Sequence, residues 1–198
     1  MKKKANIIIS VIGAIIILIV IIWGLNSDSA TYQNVNAPRP FQGNSDANII
    51  LAEFSDFQCP ACQNAKLLVD ELLEKYRDQI KFEYKHFPLI ALHPNAYNAA
   101  LAAECANDQG KFWEMYDLLF DHQNNLAKDD LKLYASQIDG IKTDSFNICL
   151  DTKAKKKIVD ADLNEAEAKG ISGTPTFFLN GREVEDYGEL DNLIQNLL

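Results

Sequence analysis

The chain has 198 residues, 47% of them hydrophobic, enough for one domain with a sizeable core. Acidic residues outnumber basic ones by 28 to 19, a net charge of −9, and three of the basic residues stand at the extreme N-terminus. So acidic a chain excludes the basic surface that nucleic acid needs, and no nucleic-acid partner is expected.

Lys2, Lys3 and Lys4 precede an apolar run at positions 7–25, broken only by Ser10 and glycines. At about 1.5 Å per helical residue this run spans roughly 28 Å, close to the thickness of a hydrocarbon core. It exceeds the ~7–15 residues of a signal-peptide core. No good small-x-small cleavage site follows, since cutting after Ala30 would put Asp28 in the third position before the cut. We read 7–25 as an uncleaved transmembrane signal anchor and 1–6 as a basic cytoplasmic tail, with the remainder exported. Trp23, near the outer end, suits the membrane interface. Residues 26–46 are polar and turn-rich, with Pro38 and Pro40, and read as a linker; the domain is expected at 47–198.

Positions 49–57 are mostly apolar, as in a strand covered on both faces. Cys59-Pro60-Ala61-Cys62 follows, and then Ala65, Leu68, Val69, Leu72, Leu73 and Tyr76 fall at helical spacing. The spacing predicts a helix over 61–77 with the cysteines in its first turn and Pro60 just inside the start, where a missing N–H costs nothing. A sulfur there meets unpartnered N–H groups and the positive end of the helix dipole, which favour a thiolate. Two cysteines three apart at such a junction suit dithiol–disulfide chemistry; a structural zinc site and a purely structural disulfide are the other readings. Zinc usually takes four ligands, and His86, His93 and His122 lack the spacing to supply the rest. Cys105 and Cys149, both in apolar settings, are either inert buried thiols or a structural disulfide of an exported domain.

Positions 80–87 alternate as a half-buried strand does, giving strand–helix–strand, a unit that prefers a right-handed crossover in a parallel sheet. Residues 89–169 read as wholly helical: an alanine-rich helix after Pro94, one with Phe112, Trp113, Tyr116, Leu119 and Phe120, one with Leu131, Tyr134 and Ile138, a short one with Phe146 and Leu150, and a last from about 152 to 169 closed by Gly170. A strand is expected at 174–179, and Asn180-Gly181 signals a two-residue hairpin leading to Arg182, Glu183 and Val184, with a final helix from about Glu189.

The order β-α-β, helical insert, β-β-α, with Cys-x-x-Cys after the first strand and Gly173-Thr174-Pro175 before the third, resembles the thioredoxin fold, and with the insert it is similar to the DsbA-like thiol–disulfide oxidoreductases. The specific parts are Glu53 through Cys62, Gly173 through Phe178, and, in the insert, Ala102-Ala103-Glu104-Cys105 and Gly110-Lys111-Phe112-Trp113. The expected fold is therefore α/β, thioredoxin-like with a helical insertion, preceded by a single transmembrane helix.

The resemblance implies that Cys59 is the attacking cysteine and Cys62 the resolving one, and that Pro175 is a cis-proline beside them, with the Thr174 backbone turned toward an incoming substrate. It sets Glu53 beneath the pair. That residue either exchanges a proton with Cys62 or is a solvated acid at a strand end, and Asp56 reads as a capping or turn residue. Two positions depart from the oxidase pattern: Ala61 replaces a histidine, and Thr174 stands where strong oxidases often have valine. The expectation is a membrane-anchored extracytoplasmic oxidoreductase that oxidises the cysteines of exported proteins and is reoxidised by a membrane-bound redox partner. It needs no cofactor, because the two sulfurs carry the electrons. A reductase or isomerase on the same fold, and a redox-inactive binding or chaperone module, remain the alternatives.

Overall fold

The computed structural model describes residues 38–198. The expected tail at 1–6, the anchor at 7–25 and the linker up to 37 lie outside the described residues. Among the described residues no helix is long and apolar enough to cross a membrane.

At the centre of the sheet lies β2 (Ile49–Ser55), where the continuous apolar run indicated a strand buried on both faces. β3 (Ile80–His86) pairs parallel to it, and the helix between them, α1 (Pro60–Tyr76), is the crossover that a parallel pair requires. On the other flank of β2 runs β4 (Thr176–Leu179), antiparallel, followed at the edge by β5 (Arg182–Val184). With β1 (Phe41–Gly43) antiparallel outside β3, the strand order is β1-β3-β2-β4-β5. Asn180 and Gly181, both at positive φ (49° and 78°), make the tight turn between β4 and β5. After a short 3-10 turn at Tyr187–Glu189, helix α7 (Leu190–Gln195) follows.

Between β3 and β4 come five helices: α2 (Ala96–Asn107), α3 (Phe112–Asp121), α4 (Lys128–Gln137), α5 (Thr143–Asp151) and α6 (Lys156–Ala168). The larger core cluster joins Leu51, Phe57 and Tyr84 to the inner face of α1 (Ala65, Val69, Leu72, Leu73) and to the insert. A smaller cluster on Phe54, Phe87, Ala166, Ile171 and Phe178 covers the opposite face. Alanines let α2 pack closely, and every residue from Ala99 to Ala106 is buried. Cys105 of α2 and Cys149 of α5 form a disulfide with their Cα atoms 5.8 Å apart.

Three expected boundaries move. Part of the span read as linker belongs to the domain: Phe41–Gly43 is the edge strand, Arg39 reaches the buried carboxylates of Glu104 and Asp162, and the Trp113 indole donates to the Phe41 carbonyl at 3.2 Å. A three-residue edge strand lives on backbone pairing and leaves no period for a sequence to display. α6 begins at Lys156 and not near 152, because Lys153 takes a positive φ of 53° that no helix continues through. β4 begins at Thr176, leaving Thr174 and Pro175 in the loop ahead of it, where a proline without an N–H takes nothing from the ladder.

The crosslink closes a segment of 44 residues, which in the chain-entropy model stabilises by up to about 4 kcal/mol. Replacing both Cys105 and Cys149 by alanine should lower the unfolding free energy by about 2–4 kcal/mol, read from the denaturant midpoint, with the fold retained. An unchanged midpoint would contradict a constraining crosslink.

Candidate active site

The site forms where β2 runs out and α1 begins. The Asp56 carbonyl accepts the Cys59 N–H at 3.0 Å, while its carboxylate accepts the Gln58 N–H at 2.7 Å, and together these turn the chain into the helix. Cys59 is the N-cap, in extended conformation (φ −82°, ψ 120°), and Pro60 stands in the first helical turn. The Cys59 carbonyl takes the N–H groups of Cys62 and Gln63 at 3.1 and 3.2 Å. From the insert, the buried Gln123 amide donates to the carbonyls of Phe57 (3.0 Å) and Cys59 (2.8 Å), fixing the turn from outside.

Both cysteines are free thiols, and their surroundings differ. Cys59 keeps 8% of its surface exposed and Cys62 none. The neighbouring Cys62 thiol, working against burial and helped by Thr174 and the N–H groups of Cys62 and Ala61, lowers the Cys59 thiol to about 5. Burial above all, then Cys59 and then the charge of Glu53, push Cys62 far upward. Around neutral pH the outer sulfur is therefore a thiolate and the inner one a thiol. The Asp56 N–H points at the Cys62 sulfur from 3.5 Å.

Opposite the pair, the Thr174–Pro175 peptide is cis, and the Thr174 carbonyl lies 3.5 Å from the Cys59 sulfur. Glu53 stands at the level of Tyr84 on β3 and Phe177 on β4. It is 1% exposed and neither carboxylate oxygen has a hydrogen-bond partner among the described residues, so it is no solvated acid at a strand end. Burial raises it to about 8, against a smaller pull from Ser55. The Tyr84 and Tyr116 hydroxyls are buried on the same side and held well above their ordinary values, by burial first and then by Glu53. A carboxyl in this setting keeps its proton at neutral pH and can pass it to a sulfur leaving as a thiolate.

Asp56 does more than cap a turn. Its second carboxylate oxygen accepts the Leu89 N–H and the His93 Nδ1–H, both at 2.8 Å, from the loop that leaves β3. Gln58 adds another tie by accepting the Asn95 N–H at 2.8 Å. Neither Gln123 nor the Asp56 contacts to Leu89 and His93 were visible as a motif. The Asp56 partners lie 33 and 37 residues away, and only the parallel pairing of β2 and β3 brings them together.

With this geometry in view, comparison with known proteins is informative. The family model described as thioredoxin matches residues 36–196. Among curated proteins, the Na(+)/H(+) antiporter NhaA 3 of Salinispora tropica is 41% identical over 141 residues, which is 71% of this chain and 21% of that protein. The chain thus spans about a fifth of the length of the curated relatives it matches. Among solved structures, oxidised BdbD from Bacillus subtilis superposes with a TM-score of 0.70 at 24% identity, over 80% of this chain and 91% of that one. The thiol-disulfide exchange protein alpha-DsbA2 from Wolbachia pipientis gives 0.69 at 21% identity, over 81% and 87%. These last two likenesses describe the fold.

Glu53 sets a test of the buried carboxyl. Its value in the folded protein, about 8, is above the ordinary 4.5, so its contribution to stability is fully present below about 4.5 and is lost as pH rises through about 8. Glu53→Gln, which mimics the protonated form, should remove that slope: the reduced variant should match the wild type in acid and exceed it by about 1–3 kcal/mol at alkaline pH in denaturant unfolding. Parallel pH curves for the two proteins would contradict a buried protonated Glu53.

Proposed function

The chain belongs to the thioredoxin family, and from that premise we propose that it is a membrane-anchored extracytoplasmic thiol–disulfide oxidoreductase that donates the Cys59–Cys62 disulfide to exported proteins. The observation that carries this reading is the contrast between the two sulfurs. A Cys59 thiol lowered to about 5 stabilises the reduced protein relative to the disulfide, which makes the disulfide the stronger oxidant.

The cycle starts with the disulfide form. A substrate thiolate attacks the Cys59 sulfur, the Cys59–Cys62 bond breaks, and Cys62 leaves as a thiolate that takes a proton from Glu53. A second substrate thiolate then attacks the substrate sulfur of the mixed disulfide and expels Cys59. Its low value makes Cys59 a good leaving group. The substrate has lost two electrons and two protons; the electrons reside on the reduced pair, both substrate protons have gone to solvent, and Glu53, having given its proton to Cys62, regains one from solvent. A membrane-bound redox partner accepts the two electrons, restores the disulfide and closes the cycle. The sulfurs do this without a cofactor. The basic residues and the apolar run at 7–25 are the basis for the anchor and for the exported orientation.

Ala61 and Thr174 favour a second reading, a reductase or isomerase, because Ala61 lacks the cation that a histidine would set beside the thiolate and Thr174 stands where strong oxidases often have valine.

Both the roles and the direction are testable. Cys62→Ser should accumulate mixed disulfides with exported proteins through Cys59, visible on non-reducing gels, whereas Cys59→Ser should accumulate almost none. Oxidised wild-type protein mixed with a reduced unfolded two-cysteine protein should transfer its disulfide nearly completely. A mixture that stays largely unreacted, while the reduced protein readily reduces the same substrate in its disulfide form, would favour the reductase reading, and equal trapping by the two variants would contradict the assigned roles.

A further inference from the structure

We propose that the protein also acts on copies of itself: the Cys59–Cys62 disulfide of a finished copy closes the Cys105–Cys149 crosslink of a second copy whose helical insert has not yet packed. This inference rests on the oxidoreductase reading above and names one substrate of that same site, an unfolded chain of this protein.

In the finished fold the crosslink is sealed. Cys105 and Cys149 are 1% and 0% exposed, and Leu101 and Phe146, one helical turn ahead of each, are fully buried as well. The Ala154 N–H donates to the Cys149 carbonyl at 3.0 Å, and the next residue, Lys155, pairs with Asp108 just past Cys105. That ion pair is itself almost wholly buried and joins the same helix ends. A thiol in so closed and apolar a setting is neither ionised nor reachable, so sulfurs still reduced when the insert packs stay reduced. Cys59 of the same copy does not reach them either. α2 starts at the active-site turn, where the Asn95 N–H is bonded to Gln58, and carries Cys105 in its last turn, roughly 15 Å further on at ~1.5 Å per residue. Both sulfurs therefore meet their oxidant before α2 and α5 come together.

A newly made copy has no oxidant of its own, because all four of its cysteines leave a reducing cytosol as thiols. A finished copy holds one in its active site, and the anchors read at 7–25 would gather old and new copies on one membrane surface. The thiolate of Cys105 or Cys149 in the new copy attacks the Cys59 sulfur of the finished one. The Cys59–Cys62 bond breaks, and Cys62 leaves and takes a proton from Glu53. The other thiolate of the new copy, tethered 44 residues away on the same chain, attacks its partner's sulfur and expels Cys59. Because the Cys59 thiol is lowered to about 5, it leaves readily. The new copy has lost two electrons to the finished copy's pair and two protons to solvent, Glu53 regains a proton from solvent, and the membrane-bound redox partner recharges the pair.

The test uses the full-length Cys59→Ala/Cys62→Ala chain as acceptor, since its remaining thiols are Cys105 and Cys149. Reduced, unfolded in guanidinium and diluted into detergent buffer with oxidised wild type, it is alkylated at intervals and weighed as the intact chain, which its two alanines set apart from the wild type. The crosslink should close at a rate proportional to the wild-type concentration and about tenfold or more above that with the same concentration of glutathione disulfide, whose leaving thiol is an ordinary one. Reduced wild type should close none of it. Oxidised wild type added after the tryptophan fluorescence of the acceptor has returned to its folded level should act about tenfold or more slowly. A rate no greater than that with glutathione disulfide overturns the proposal. So does equal closure before and after refolding, which would set the oxidation in the packed insert. An unrelated reduced unfolded two-cysteine protein is run beside the acceptor: transfer to it and not to the acceptor overturns self-oxidation alone, whereas transfer to neither overturns the oxidoreductase reading as well.

Discussion

The first N–H groups of α1 have no carbonyl within the helix to accept them, and the chain places Cys59 where they point and Cys62 one turn deeper, with none of its surface exposed. A single helical turn thus divides two chemically identical side chains into a stabilised thiolate and a buried thiol. Most of the surrounding structure maintains that division. β2 delivers the turn from the middle of the sheet, where it cannot slide without breaking pairing on both sides. Gln123 holds two carbonyls of the turn from the insert, so the five inserted helices also form part of the mounting of the dithiol.

Glu53 is the counterpart of that arrangement. A carboxyl kept from water with no hydrogen-bond partner among the described residues is costly when charged, and it meets the cost by holding its proton to about 8. The same burial that raises Glu53 raises Cys62, and the charge of Glu53 adds to the rise at Cys62. Asp56, three residues further along, is also buried but receives three N–H donors, and it ties the loop after β3 to the active-site turn. Two acids on one short stretch of chain thus take opposite roles because one is satisfied and the other is not.

The sequence carried this part of the design unevenly. The apolar run of β2, the helical spacing after Cys62 and Pro60 at the helix start are local signals, and they located the dithiol to within a residue or two. Asn180-Gly181 was equally local, since two positive φ values in a row leave few residue choices. The edge strand at Phe41–Gly43 was hidden because three residues show no period, and its pairing with β3 is a long-range fact. Asp56 and Gln123 were hidden for the same reason: their meaning depends on which distant parts of the chain the fold brings together. Glu53 stood between the two outcomes, because a lone acid in an apolar strand could be either buried or peripheral until its neighbours on β3 and β4 were in place.

The central claim is the unequal acidity of two cysteines three residues apart. The pH dependence of alkylation of the reduced protein by iodoacetamide, resolved by peptide mass spectrometry, reads it directly. The account predicts modification at Cys59 with a midpoint near 5 and negligible reaction at Cys62 up to alkaline pH. Both cysteines reacting alike, with a midpoint near the ~8.5 of an ordinary thiol, would contradict it.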